Sequence, residues 1–170
     1  MTSPWITEFS KESIHRMQLN TPRIEACLGR LTEEEVWQRP NNASNSMGNL
    51  LLHLCGNIRQ YIISGLGRQP DSRTRDAEFS ATGGLLKQEL LQRLKDTVQE
   101  AEEVIRSANE TALLTTIQVQ GYELTGIGII IHVVEHYSYH TGQIAFWTKQ
   151  LRNEDLGFYA GVNLNIKNAD

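Results

Sequence analysis

Apolar residues recur at helical spacing along four long stretches of the chain. Ile6, Phe9, Ser13, Met17, Thr21, Ile24, Leu28 and Leu31 form one stripe at roughly 3.5-residue spacing, which predicts a helix over about 4–30. Pro22 lies inside it, so the helix either kinks there or gives way to a second one capped by Thr21. Met47, Leu50, Leu51, Leu54, Ile58, Tyr61 and Ile62 make the core stripe of a helix over about 46–64. Asn49, His53, Asn57 and Gln60 run beside it as a polar stripe. Leu86, Leu90, Leu94, Val98, Ala101, Ile105 and Ala108 predict a third helix over about 84–108, its opposite face charged as a surface helix requires. The fourth, over about 124–152, carries Ile130, Val134, Tyr137, Ile144 and Trp147 on its apolar face.

The stretches between these helices carry their own signals. Thr32-Glu33-Glu34-Glu35 is a capping box that starts a short helix, and Arg39-Pro40-Asn41-Asn42 ends it. Ser44-Asn45-Ser46 supplies the N-cap of the second long helix, and Gly65 and Gly67 stop it. Residues 65–84 form a long loop rich in Gly, Pro, Asp and Ser, with Arg68, Arg73 and Arg75. Loops of that length are often functional, although a solvated crossover explains this one equally well. Thr115 to Leu124 places β-branched residues around Gly121 and reads as a short extended or hairpin element. The tail, about 156–170, reads as irregular. Four long helices with one long crossover predict an all-α, four-helix bundle, residues 1–170 making a single domain.

Composition narrows the class. The 170 residues are 39% apolar and 21% charged, the balance of a globular chain. A net charge of −4 argues against a partner that is nucleic acid or an anionic membrane, since either needs a basic face. No apolar run reaches the roughly 18 residues of a membrane span. Met1 to Trp5 has neither a basic start nor an apolar region, so no signal peptide is expected. Cys27 and Cys55 are far apart and lie in apolar surroundings; small buried hydrophobes in a reducing cytoplasm are the expectation.

The fourth helix holds three of the five histidines: His132, His136 and His140. Residues four apart share one helix face, so two adjacent imidazoles can share one metal ion. All three cannot, because His132 and His140 stand roughly 12 Å apart at 1.5 Å per residue. A third ligand must come from elsewhere, and His53, on the polar stripe of the second helix, is the natural candidate. Three protein ligands with one open position make the catalytic type of site. His132-Val133-Val134-Glu135-His136 also matches the inverted zinc-protease motif H-x-x-E-H, with Glu135 as base. That reading leaves His53 and His140 unexplained. It also needs a downstream carboxylate ligand, for which only Glu154, Asp155 and Asp170 remain.

Ser46-Met47-Gly48-Asn49-Leu50-Leu51-Leu52-His53-Leu54 together with Tyr139-His140-Thr141-Gly142-Gln143-Ile144 resembles the DinB/YfiT-like superfamily of metalloenzymes, over residues from about 5 to about 160. Arg73-Thr74-Arg75-Asp76-Ala77-Glu78-Phe79 looks like the loop of one uncharacterised branch. (This DinB is not the polymerase of the same name, and no DNA binding is implied.) The resemblance implies an up-down-down-up bundle, a homodimer, and a metal triad that carries over to His53, His136 and His140. His132 then becomes a supporting residue. Zinc or nickel is the implied metal, and a low-molecular-weight thiol is the implied co-reactant.

The expected function is therefore a cytoplasmic, divalent-metal-dependent enzyme on a small-molecule substrate. It would be a thiol-dependent S-transferase or hydrolase-like enzyme, the ion activating a thiol or water. The alternative is a metal-stabilised binding or stress-response module without catalysis. Asn49, Asn57 and Gln143 are the candidate ligand-orienting residues, with ordinary hydrogen-bond filling as the competing reading. Arg68, Arg73 and Arg75 are candidates for receiving an anionic ligand. Glu123 and Glu135 are the nearest acids in sequence, and neither is a compelling base.

Overall fold

The computed structural model describes residues 3–168; Met1, Thr2 and the last two residues of the tail lie outside them. The elements in order are α1 (Pro4–Gly29), α2 (Glu33–Trp37), α3 (Met47–Ile58) running directly into a π-helical segment (Arg59–Leu66), α4 (Arg75–Ser80), α5 (Lys87–Ser107), α6 (Glu110–Leu114), β1 (Thr116–Val119), β2 (Tyr122–Thr125) and α7 (Gly126–Arg152). The four long helices are a four-helix bundle, and their directions follow from which side chains meet. Lys95–Glu25 and Gln18–Glu102 contacts set α5 antiparallel to α1. Thr21–Tyr137 and Arg30–Glu154 contacts set α7 parallel to α1. His53–His136 and Asn57–His132 contacts set α3 antiparallel to α7. The order is thus up-down-down-up. Two consecutive parallel helices require a crossover, which is why the chain between α3 and α5 is long.

The predicted caps form. Thr32 and Glu35 make both bonds of a capping box, and Ser46 and Asn49 make the equivalent pair at the start of α3. At Pro22 α1 continues without a second cap; the Thr21 hydroxyl bonds back to the Met17 carbonyl at 3.2 Å and meets the Tyr137 hydroxyl at 2.8 Å. The hairpin pairs Thr116 with Thr125 through Val119 with Tyr122. Its turn places Gln120 and Gly121 at φ of 50° and 82°, the left-handed region that glycine tolerates best.

Three features depart from the sequence reading. The second long helix widens into π geometry after Ile58, with Gly67 bonding to the Ile62 carbonyl five residues back. The long loop contains α4. A five-residue helix, α6, precedes the hairpin.

The core runs through all four helices. Met17 and Ile24 of α1, Leu51, Leu54 and Ile58 of α3, Leu90 and Leu94 of α5, and Ile130, Val133 and Tyr137 of α7 are buried in one cluster. Among the described residues no helix is long and apolar enough to cross a membrane.

Cys27 and Cys55 are both free and buried. Burial pushes the Cys55 thiol up to about 11 and raises that of Cys27 as well. Both should therefore be inert in the folded protein. A chromogenic disulfide reagent should titrate no fast thiol in the native state and two per chain in denaturant. A fast-reacting thiol in the native state would contradict this packing.

Candidate metal centre

His53 sits mid-way along α3 and His136 and His140 one turn apart on α7, where the two helices cross. The Nε2 atoms of His53 and His136 are 3.1 Å apart, as are those of His136 and His140. All three ligand atoms fall within 4.8 Å of one another, and the group could hold a metal ion. At a metal–nitrogen distance of roughly 2.1 Å, neighbouring ligands stand about 3.0 to 3.4 Å apart. The two 3.1 Å spacings on either side of His136 fit that range.

The outer nitrogens decide which way the lone pairs point. His53 Nδ1 lies 3.0 Å from Glu78 Oε2, so it donates to the carboxylate and leaves a lone pair on Nε2. His140 Nδ1 donates to Gln143 Oε1 at 2.7 Å, with the same consequence. His136 Nε2 therefore faces two lone pairs and can offer a proton to only one. A cation between them satisfies all three. His136 Nδ1 is buried with no partner among the described residues. Three neutral imidazole nitrogens are the donor set that suits zinc, nickel, copper or iron.

The electrostatics keep the His136 and His140 rings neutral. Burial, then the neighbouring His140, His53, His132 and Arg73, push His136 down to about 3. Burial also lowers His140, against the hydrogen bond it donates to Gln143, which raises it. A histidine depressed in the folded state is stabilising above its unfolded value and costs stability as the pH falls below it. Metal-free protein should thus weaken from about pH 6.5 downward, progressively towards about pH 3. Urea midpoints at about pH 7 and about pH 5 measure this, and the drop should shrink in His136→Ala. An unchanged midpoint in the wild type would refute it.

The supporting residues sort themselves by contact. His132 is stacked between Tyr61 and His136, at ring-centroid distances of 4.3 and 5.5 Å. Its Nε2 lies 3.3 Å from Asn57 Nδ2. It lies outside the three-histidine group, which leaves the H-x-x-E-H reading without its second ligand. Asn57 thus serves His132 rather than His53. Gln143 orients His140. Asn49 does not reach a ligand: its side chain closes the α3 cap and donates to the carbonyls of Glu78 and Ala81, at 2.9 and 2.7 Å.

The three arginines part company. Arg68 lies just beyond the π-helical segment at φ 59°, exposed and outside the cluster. Arg73 is turned inward and bonds both oxygens of Glu78, at 2.7 and 2.8 Å, with Gln60 holding its third nitrogen at 2.8 Å. It is already paired with Glu78 and its side chain is buried, so it is not presented to an anion from solvent. Arg75 stays at the surface beside the cluster, 4.7 Å above the Phe79 ring. It borders a cleft of about 770 Å³ that reaches His53 and His140 and is also lined by Asn45, Phe79, Tyr139 and Gln143.

Glu78 is the residue that sequence reasoning missed as a partner of the site. Burial raises its carboxyl, but hydrogen bonds from Arg73 and His53 outweigh this and hold it below the usual carboxylate range. Its contact with His53 spans 25 positions, and its place in the Arg73–Phe79 segment was the only hint of it. Glu123, by contrast, belongs to the hairpin, where it accepts from Gln118, and Glu135 is exposed.

This bundle with three converging histidines between its second and fourth long helices is a DinB-like fold carrying a candidate metal site. The chain belongs to the family described as protein of unknown function (DUF1572), whose model matches residues 5–160. Among solved structures, a conserved protein from Enterococcus faecalis superposes with a TM-score of 0.73 at 16% identity, covering 85% of this chain and 98% of the other. A DinB-like protein from Bacillus cereus gives 0.67 at 16%, covering 84% and 92%. The DinB-like protein YjoA from Bacillus subtilis gives 0.65 at 12%, covering 85% and 94%. At these identities the likeness concerns the fold. No curated protein matches the chain.

Proposed function

We propose that the protein is a divalent-metal-dependent enzyme, with His53, His136 and His140 holding zinc or nickel and a small-molecule substrate entering from the adjoining cleft. The observation that carries this reading is the convergence of three imidazole Nε2 atoms beside an open cleft. Bound there, a divalent ion supplies Lewis acidity that makes a thiol or water nucleophilic at neutral pH. The chain supplies the rest. Gln143 and Glu78 hold two of the three rings in register. Arg75, Asn45 and Tyr139 offer charge and hydrogen bonds to a substrate in the cleft.

One feature favours the thiol-dependent S-transferase over the hydrolase. Glu78 is engaged at both oxygens and stands behind His53, so it is no free base for water. A low-molecular-weight thiol whose pKa a bound ion lowers would lose its proton to solvent and need no such base. In this reading the enzyme works in the cytoplasm as a homodimer, the assembly that the superfamily resemblance implies.

The test pairs spectroscopy with turnover. Cobalt-substituted protein should show a visible spectrum that shifts when cysteine or glutathione is added. Zinc- or nickel-loaded protein should then transfer one of several cellular thiols to a chlorobimane electrophile, and His136→Ala should not. A cobalt spectrum indifferent to every thiol, with no turnover, would leave a metal-stabilised binding module as the better reading.

A further inference from the structure

We propose that Glu78 is the positioning residue of this site: seated in a notch at Gly56 and held by Arg73, it fixes His53 with its proton on Nδ1 and its lone pair on Nε2. The consequence for metal affinity rests on the metal-dependent reading above, whereas the tautomer does not.

The notch is the first observation. Gly56 lies on α3, three positions beyond His53. A Cβ there would fall onto Glu78 Oε1, 2.7 Å from its Cδ and 2.9 Å from Arg73 Nε. Any side chain at position 56 therefore excludes the carboxylate from its seat. The second observation is how fully the seat is furnished. Glu78 and Arg73 side chains are 9% and 3% exposed. A buried charge is tolerated only when paired and hydrogen-bonded. Here Arg73 gives two N–H groups and His53 a third. Arg73 Nη2 also comes within 3.1 Å of His53 Nδ1, but both groups are donors aimed at the same Glu78 oxygen.

The third observation is the backbone. Asn49 grips the carbonyls of Glu78 and Ala81, and Arg39 bonds the carbonyl of Phe79 at 2.5 Å. These contacts hang α4 from the bundle at the point that puts Glu78 behind one imidazole. A merely structural ion pair between Arg73 and Glu78 has no need of that alignment. A general base would face the cleft, whereas Glu78 faces the far side of the ring, next to a separate cavity shared with Cys55, Gly56 and Arg73.

The variants are Glu78→Ala, Gly56→Ala and the two combined, each checked for helicity. Nitrogen-15 histidine spectra of metal-free protein should show His53 protonated on Nδ1 in the wild type and shifted towards Nε2 in both single variants. A wild-type His53 protonated on Nε2 overturns the proposal. Zinc dissociation constants, from chelator competition, should rise about 10- to 100-fold in each single variant, the range for losing an outer-shell partner. The double variant should bind no more weakly than Glu78→Ala, because removing the carboxylate also removes the clash. Equal weakening by Gly56→Ala with and without Glu78 would overturn the proposal, as would an unchanged constant in Glu78→Ala. Should Glu78→Ala fail to fold, Glu78→Gln fits the same seat and should keep the tautomer with a smaller loss. A wild type that takes up no zinc defeats the metal-dependent reading and leaves the spectra to decide the role of Glu78.

Discussion

Replacing His136 with alanine is expected to abolish stoichiometric binding of zinc or nickel. His136 Nε2 is the atom that stands 3.1 Å from both other ligands, so its loss leaves His53 and His140 facing each other across a gap. The affinity should fall by more than about 100-fold, beyond what losing an outer-shell partner costs. The fold should survive. His136 is only partly buried and lies beside the core cluster rather than in it, and removing it relieves the mutual disfavour among neighbouring rings. Thermal melts with and without zinc separate the effects. A ligand that binds only the folded state stabilises by about 2.7 kcal/mol at a hundred times its dissociation constant. Wild type should gain that, and His136→Ala should gain nothing. Elemental analysis showing equal metal per chain in the two proteins would dismantle the three-histidine site.

The largest effect on stability away from the site is expected from Gly126→Ala. Gly126 is the first residue of α7, just after the Thr125 cap. A Cβ there would lie 2.5 Å from the Ala112 carbonyl oxygen, 2.8 Å from Leu113 Cα and 3.0 Å from Leu66 Cδ1. Two of these are backbone atoms, and α6 cannot easily retreat. Leu113 is fully buried beneath it, and Asn109 caps its start at 2.9 Å. Overpacking of this kind costs about 1–3 kcal/mol, and the backbone contacts place it at the upper end. For a chain of this size that is a fall of roughly 5–10 °C in melting temperature. Zinc binding should persist at temperatures where the variant is folded, because the ligands lie further along α7. A melting temperature at or above wild type would mean that α6 yields freely.

Much of the frame was legible because periodic burial and capping are local. The stripe from Ile6 to Leu31, the Thr32–Glu35 box and the Ser46 cap each announce an element through residues within a turn or two of one another. The histidines were legible for the same reason. Helix rise alone excludes His132 and His140 from one ion and demands a ligand from another helix. The widening of α3 was not legible. The stripe Leu54, Ile58, Tyr61, Ile62 reads the same for α and π geometry at its last turn, yet the register sets where Gln60 and Tyr61 point. The six residues of α4 are too short to show a period, so they read as loop.

By itself, the sequence determined the four long helices, the caps at Thr32 and Ser46, and the two imidazoles on one face of α7. Each depends on contacts within a few residues, where backbone geometry is known in advance. Only the tertiary structure decided that Glu78 stands behind His53, that Gly56 must stay bare to admit it, and that Arg73 serves Glu78 rather than a ligand. Those facts depend on how α4 docks against α3. Docking is set by the sum of many weak contacts across the bundle, and no spacing along the chain encodes it.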